Sequence, residues 1–246
     1  MSHRTLRERV EHFLATRDAA RPLFLYVNFH DTHFPYQHDE IEPILSRQRV
    51  TQSQIGPARQ GALQEMYYNT AANVDRALGA TRASVTRTLG KEPAVIITAD
   101  HGESLFDEGF LGHGYALNDV QTRIPLIVSG LPMVIVEPFG QADLRNAIAA
   151  ALSSDSARTL PRVTGDPSRV VFQYLGSINR PRQIGFLGAA GQIVYDFRDR
   201  RVVMPDGTRA TPEDLTAETA APFLRLVHFW ERMTGGEAHG VRVPRD

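Results

Sequence analysis

The chain has 246 residues, a formal net charge of −1 and no cysteine. This length allows one large domain or two small ones, with a substantial buried core. The near-zero charge argues against nucleic acid or an anionic membrane as a partner. The absence of cysteine excludes disulfides, thiolate metal sites and a cysteine nucleophile within these residues. No stretch has the roughly 20 apolar residues of a membrane span.

The first predicted elements are a helix and a strand. Residues 6–15 have apolar side chains at helical spacing. Residues 23–29 form a short, almost unbroken apolar run, which is typical of a strand buried on both faces of a parallel sheet. The run stops at a polar cluster, residues 30–33. Residues 37–57 are polar and interrupted by prolines, so we expect a long surface loop there.

The middle of the chain alternates between helices and strands. Residues 63–79 and 80–89 have helical spacing and predict two successive helices, each ending at a glycine. Residues 94–98 and 124–128 predict two further buried strands. This alternation favours an α/β layer architecture with a largely parallel sheet.

The pattern changes after about residue 152. Residues 170–175, 183–187 and 192–197 predict short strands of an antiparallel meander, and residues 212–233 predict a closing helix. We therefore expect an α/β core over residues 1–152, and a C-terminal antiparallel sheet with its closing helix over residues 153–246.

One polar sequence directly follows the second predicted strand: Asp100, His101 and Gly102. In an open α/β sheet, ligands bind beyond the carboxyl ends of the strands. A glycine permits an immediate turn, which would let the carboxylate and the imidazole face one cation. Such a pair suits Zn²⁺ or Mn²⁺ better than Ca²⁺, which takes oxygen ligands. In the alternative interpretation, Asp100 caps the next helix and His101 is an ordinary surface residue.

Two further histidines are candidates for the same edge. His33 follows the first predicted strand, and would lie near Asp100 if the two strands were parallel neighbours. His113 stands between two glycines, which allow the backbone to approach a ligand closely. Either could instead be a loop histidine without a role. His12, His30 and His38 have no such support and are assigned none.

Three segments in order resemble the sulfatase family of the alkaline phosphatase superfamily. Residues 99–125 are similar to the C-terminal metal motif of sulfatases and their phosphoryl-handling relatives, and read ADHGESLFDEGFLGHGYALNDVQTRIP. Residues 23–36, LFLYVNFHDTHFPY, resemble the family's strand followed by a His-x-Pro-Tyr-like segment. Residues 67–79, YYNTAANVDRALG, resemble its helix before the metal strand.

The resemblance implies a fold, a reaction and a set of site residues. The fold would be part of an alkaline phosphatase-like three-layer α/β sandwich. Asp100 and His101 would bind a divalent metal ion (Zn, Mn or Ca). His113 would be the general acid or would contact the transferred group, and His33 would bind that group or the leaving-group side. The substrate would be a small-molecule or glycan sulfate ester, and family members commonly act in the periplasm, outside the cell or anchored to a membrane.

The departures from the family pattern limit this expectation. The formylglycine-forming motif C/S-x-P-x-R of sulfatases is absent from the sequence. We therefore expect the C-terminal portion of a catalytic domain, inactive without the N-terminal half that carries the nucleophile and further acidic ligands. One alternative is a phosphoethanolamine or phosphoglycerol transferase or a phosphodiesterase, although residues 121–125 favour the sulfatase branch. Another is a non-catalytic relic or binding domain.

Overall fold

The structure, a computed structural model, describes residues 2–153, 169–177 and 180–233. The helices and strands in chain order are α1 (His3–Thr16), α2 (Gln60–Leu89), β1 (Val95–Thr98), β2 (Ser104–Leu105), β3 (Leu111–Gly112), α3 (Asp119–Thr122), β4 (Leu126–Ser129), α4 (Gln141–Ser153), β5 (Val171–Ser177), β6 (Arg180–Gly188), β7 (Gly191–Asp196), β8 (Arg201–Val203), β9 (Arg209–Ala210) and α5 (Ala217–Met233).

The chain divides into two compact units. Unit 1 comprises Met1–Ile96 and Glu103–Gly112, and unit 2 comprises Ile97–Gly102 and His113–Asp246. The predicted division near residue 152 coincides with a stretch, residues 154–168, that lies outside the described residues, so this boundary stays a prediction. In the described part of the chain, no helix is both apolar enough and long enough to cross a bilayer.

Unit 1 is built on α1 and the 30-residue helix α2. The predicted helix end at Gly79 was wrong, because α2 runs through Gly79 without a break, whereas the predicted end at Gly90 is confirmed. Nothing lies within 4 Å of the position that a Cβ of Gly79 would occupy, so this glycine marks open space and not a helix end. Gly90 does end the helix, in the left-handed conformation at φ 69°.

The apolar run at residues 23–29 is extended, but it is not a strand of any sheet that the structure describes. Its exposure alternates along the chain. Leu23, Leu25 and Val27 pack against the buried residues of α1 and α2, whereas Phe24 and Tyr26 are 84% and 80% exposed. The predicted strand buried on both faces was therefore wrong: one face covers the two helices and the other is open.

A long loop and a short hairpin also belong to unit 1. The loop predicted at residues 37–57 is confirmed, with one 3-10 turn at Gln52–Gln54 inside it. The short strands β2 and β3 form an antiparallel hairpin. Leu105 of this hairpin is buried with Tyr36 and Leu63 in one apolar cluster, which attaches the hairpin to α2.

Unit 2 contains a five-stranded antiparallel sheet in the order β5-β6-β7-β8-β9. This order confirms the predicted meander. The closing helix begins at Ala217, five positions later than predicted, after a 3-10 turn at Pro212–Asp214. Its apolar face packs on the sheet in a core that includes Ile184, Tyr195, Phe223, Leu226 and Trp230.

Strands β1 and β4 were predicted, and they form a separate two-stranded sheet. Their residues are partly buried or exposed, not fully buried as expected. The α/β class is thus confirmed. The largely parallel sheet and the three-layer sandwich are not, because the first predicted strand does not form and the hairpin and the five-stranded sheet are antiparallel.

Candidate functional site

The candidate site begins where β1 ends. The chain leaves the strand at Thr98 and reaches Asp100 and His101 two and three residues later. Gln141, the first residue of α4, donates from its side-chain amide to the carbonyl oxygens of Ala99 and Asp100 at 2.8 and 2.9 Å. These two bonds hold the backbone at the strand end, so the carboxylate and the imidazole start from a fixed position.

Gly102 has a different role from the one the sequence predicted. The turn here does not need the left-handed conformation. Instead, a Cβ at this position would lie 2.0 Å from the carbonyl oxygen of Val120. The backbone N–H of Gly102 also donates to the carbonyl of Gln121 at 2.8 Å. Glycine is required because α3 passes directly against the backbone after the Asp100-His101 pair.

The side chains of Asp100 and His101 are arranged as two ligands of one cation would be. His101 Nδ1 lies 2.9 Å from the carbonyl oxygen of Gly102. Because a carbonyl only accepts, Nδ1 carries the ring proton and Nε2 has the lone pair, as in most histidine–metal sites. Asp100 Oδ2 lies 3.6 Å from that Nε2, close to the about 3.3 Å between ligands of a tetrahedral zinc ion.

His113 joins this pair from the other side. It stands between Gly112 and Gly114, both in the left-handed region at φ 91° and 80°. The expectation that these glycines let the backbone approach a ligand closely stays a prediction. The rings of His113 and His101 stack with centroids 3.8 Å apart and planes inclined by 33°. One nitrogen of each ring lies within 4.8 Å of the other. The structure thus places His101 beside Asp100 on one side and against His113 on the other.

Three side chains that the sequence did not single out hold the loop that follows His113. Arg182 on β6 donates to the carbonyl of Gly114 at 3.3 Å. The side-chain oxygen of its neighbour Gln183 accepts the backbone N–H of Leu117 at 2.7 Å. The buried side chain of Gln121 accepts from Tyr115 at 3.2 Å. No local sequence pattern identifies these residues. Arg182 and Gln183 bond to a loop that lies 68 and 66 positions earlier in the chain, and Gln121 acts on it through one side-chain hydrogen bond.

His33 belongs to unit 1, whereas the other three predicted residues belong to unit 2. Its backbone N–H donates to the carbonyl of His30 at 3.0 Å, and its ring Nδ1 lies 2.9 Å from the carbonyl of Phe34. The ring itself is exposed. The expectation that His33 shares an edge with Asp100 stays a prediction.

The residue after Gly102 connects to the aromatic cluster of unit 1. The hydroxyl of the fully buried Tyr36 donates a short hydrogen bond to Glu103 Oε1. The ring of Tyr67 packs edge-on against Tyr36, with centroids 5.3 Å apart. Burial raises the pKa of Tyr67, and the negative charge of Glu103 raises it further. The carboxylate of Glu103 thus accepts a hydrogen bond from the buried phenol of Tyr36, and its charge acts on the half-buried phenol of Tyr67.

The comparisons with known proteins point in one direction. A family model described as Sulfatase matches residues 1–133, more than half of the chain. The fold is similar to the crystal structure of the candidate sulfatase yidJ from Bacteroides fragilis, with a TM-score of 0.56 at 13% identity. That match covers 96% of this chain and 58% of the other. At this identity the likeness concerns the fold alone.

Two further solved structures are similar at lower scores. A candidate sulfatase from Bacteroides thetaiotaomicron has a TM-score of 0.38 at 15% identity, with coverage of 97% of this chain and 60% of that one. A 2-O GAG sulfatase has a TM-score of 0.37 at 14% identity, with the same two coverages. The chain therefore spans 58 to 60% of the length of these structures. No curated protein matches it.

Proposed function

This chain belongs to the sulfatase family. On that premise we propose that it forms part of a metal-dependent enzyme that hydrolyses sulfate esters. The observation that carries the proposal is the convergence of Asp100, His101 and His113. They lie inside the segment matched by the family model, and the two rings stack with centroids 3.8 Å apart. A carboxylate and two imidazoles at one strand end suit the binding and cleavage of an oxyanion ester.

In this proposal Asp100 and His101 hold a divalent cation. The oxygen and nitrogen donors favour Zn²⁺ or Mn²⁺ over Ca²⁺. The carboxylate of Asp100 is 85% exposed, so it could bind a cation without losing a buried partner. When bound, the cation supplies Lewis-acid polarisation of the ester. The bond from His101 Nδ1 to the Gly102 carbonyl keeps the ligating Nε2 unprotonated and the ring oriented.

The two remaining histidines act on the substrate. His113 donates a proton to the leaving-group oxygen as the S–O bond breaks, or donates a hydrogen bond to the sulfuryl oxygens as their charge grows. The ring contact with His101, at 3.8 Å between centroids, supports this role, because His101 is one of the two proposed cation ligands. His33 binds the same group or the leaving-group side. The substrate is a small-molecule or glycan sulfate ester, and the enzyme acts on it in the periplasm, outside the cell or at a membrane.

The proposal assigns the nucleophile to sequence outside these residues. Sulfatases use a cysteine or serine in a C/S-x-P-x-R motif as the nucleophile, and the motif does not occur in these 246 residues. The chain then contributes two metal ligands and the substrate-facing histidines, and turnover needs the nucleophile and further acidic ligands from elsewhere.

Metal binding by the chain itself is the first test. The metal-free protein is titrated with Zn²⁺, Mn²⁺ and Ca²⁺ by calorimetry, as are Asp100→Ala, His101→Ala and the control His12→Ala, an exposed position on α1. We expect Asp100→Ala and His101→Ala to lose one equivalent of metal that His12→Ala keeps. Full occupancy in both variants would remove the two residues as ligands.

The ester class is tested by turnover. The protein translated with any in-frame sequence upstream of Met1 is assayed with p-nitrophenyl sulfate and p-nitrophenyl phosphate at equal concentrations. Faster hydrolysis of the sulfate supports the proposal. Faster hydrolysis of the phosphate assigns the scaffold to phosphoryl chemistry, and no hydrolysis of either ester by the metal-loaded protein favours a non-catalytic domain.

A further inference from the structure

Three side chains meet where helix α1 begins: His3, Asp31 and His38. Asp31 Oδ1 lies 2.7 Å from His3 Nδ1 and 2.6 Å from His38 Nε2. The centroids of the two imidazoles are 5.8 Å apart, and one donor atom from each of the three side chains lies within 4.8 Å of the others. All three residues belong to unit 1. Two imidazoles from distant positions thus converge on one carboxylate.

The hydrogen bonds of this carboxylate are unevenly distributed. The side chain of Asp31 is 0% exposed. Its Oδ1 is approached by three donors, since the backbone N–H of His3 also donates to it at 3.1 Å. Its Oδ2 is buried without a hydrogen-bond partner. Buried carboxylate oxygens normally have partners, because their lost hydration is otherwise not replaced.

The carboxylate is nonetheless charged at neutral pH. Burial by itself would raise the pKa of Asp31, but hydrogen bonds from the ring and backbone of His3 and from the ring of His38 outweigh it and leave the pKa lowered. A negative charge with one unused oxygen therefore lies between two imidazoles, buried at Asp31 and reachable by solvent at His38, whose side chain is 32% exposed.

We propose that His3, Asp31 and His38 bind a zinc ion. Two imidazole nitrogens and one carboxylate are ligands that zinc takes in tetrahedral sites, with water in the fourth position. Calcium would need six to eight oxygens, which this cluster does not offer. The 2.6–2.7 Å contacts are hydrogen-bond distances. Tetrahedral zinc at bonds of about 2.0 Å sets its ligands about 3.3 Å apart, so the rings move outward by about 0.6 Å.

Zinc binding requires each ring proton of His3 and His38 to move from one nitrogen to the other, and both rings stay neutral. The backbone N–H of Glu40 approaches His38 Nδ1 at 3.4 Å, so in the metal-free protein the ring proton of His38 is on Nε2 and points at Asp31. When zinc binds Nε2, this proton moves to Nδ1 and the long contact from Glu40 is lost. The ring of His3 changes in the same way, from a proton on Nδ1 to one on Nε2.

Such an ion would fasten one segment of the chain to another. His3 is the first residue of α1, while Asp31 and His38 lie on either side of His33 in the sequence. Zinc would therefore join residues 31–38 to the start of the helix. This site uses none of Asp100, His101 and His113, so it goes beyond the proposed function and its test is separate.

The test uses the untagged chain, because oligohistidine tags bind zinc. The double variant Asp100→Ala/His101→Ala removes the other proposed centre. It is titrated with Zn²⁺ in competition with a chromophoric chelator, and with Co²⁺ as a spectroscopic substitute. We expect one equivalent of zinc and the visible bands of tetrahedral cobalt. Adding His38→Ala should weaken zinc at least about 100-fold, since even loss of a residue supporting a ligand costs 10- to 100-fold; adding His12→Ala instead should change nothing.

Two outcomes overturn the proposal: no zinc bound by the double variant, or equal binding with and without His38→Ala. Should His38→Ala fold poorly by circular dichroism, His38→Gln and Asp31→Asn preserve size and are judged by the same cobalt bands. Zinc should also raise the Tm of the double variant in a concentration-dependent way, and this rise should vanish with His38→Ala. Failure of the Asp100 and His101 assignment would appear separately, as an unchanged zinc stoichiometry in the double variant.

Discussion

The hydroxyl of Tyr36 donates its hydrogen bond to Glu103, 67 positions further along the chain. Tyr36 is fully buried, and it adopts the left-handed backbone conformation at φ 61°. Its carbonyl accepts from the buried hydroxyl of Thr70 on α2 at 2.6 Å. One tyrosine thus joins the segment after His33, the long helix and the segment after Gly102 within unit 1.

Tyr67 should make stability fall at alkaline pH. Burial and then the charge of Glu103 raise the pKa of Tyr67 above its ordinary value of 10.0. A raised pKa means that the folded state holds the proton more tightly than the unfolded state, so this stabilisation is complete below pH 10 and is lost as the pH rises towards the folded pKa. Urea unfolding at pH 8 and pH 10.5 should show a smaller loss for Tyr67→Phe than for wild type; equal losses would contradict the assignment.

Gly102→Ala should disrupt the candidate metal pair. The new Cβ would lie 2.0 Å from the Val120 carbonyl oxygen, so the backbone after His101 must move, at a cost of about 1–3 kcal/mol. Zinc binding attributed to Asp100 and His101 should weaken together with stability. The matched control is Gly79→Ala, which fills open space inside α2 and should stabilise by about 0.5–1 kcal/mol. Wild-type metal binding in Gly102→Ala would argue against the close packing with α3.

His113→Ala should separate chemistry from metal binding. In the proposed function His113 donates to the substrate and is not counted as a ligand, so the variant should keep its metal while kcat falls on the order of 100-fold or more. Steady-state assays of the extended, metal-loaded protein with an aryl sulfate measure this directly. An unchanged kcat would reduce His113 to a loop residue that merely stacks on His101.

Asn69→Ala should loosen the loop at residues 37–57. The buried side-chain oxygen of Asn69 accepts from the backbone N–H groups of Ile44, Leu45 and Ser46 at 2.8, 2.9 and 3.3 Å. Its amide nitrogen donates to the Glu42 carbonyl at 2.9 Å. Removing it takes the acceptor from the N–H groups of Leu45 and Ser46, whereas Ile44 keeps its bond to the Glu42 carbonyl at 3.0 Å. We expect a loss of about 1–3 kcal/mol in the free energy of unfolding.

The control for that prediction is Glu65→Ala. Glu65 is exposed on the same helix and bonds to Ser46 only through side chains, at 2.9 Å. Its removal should change the free energy of unfolding by no more than about 0.5 kcal/mol. Equal effects in the two variants would show that the loop does not depend on the Asn69 amide.

The elements with strong local patterns were predicted correctly. Helix α1, the strand β1 and the meander from β5 to β7 appear close to their predicted bounds, because apolar spacing of 3.6 or 2 residues and glycine-rich turns are local properties. The family resemblance likewise rests on three short contiguous segments, of which residues 99–125 carry the metal motif. It singled out Asp100, His101 and His113, which the structure brings together.

The errors share one cause. The run at residues 23–29 has the apolar pattern of a buried strand. A strand of a sheet also needs a second strand to pair with, and the local sequence does not specify that partner. Likewise Gly79 resembles a helix end, yet continuous packing on either side carries α2 through it. The parallel sheet was inferred from alternation alone, and alternation does not decide which strands become neighbours.

By itself, the sequence determined the kinds of elements, the family and the candidate residues around Asp100, since all of these depend on residues close together in the chain. Tertiary structure alone decided that Gly102 is needed for its contact with Val120, that Gln141 and Arg182 hold the site in place, and that His38, set aside in the sequence, meets Asp31 and His3. These partners are separated by up to 68 positions, and only packing of the folded chain brings such distant side chains within bonding distance.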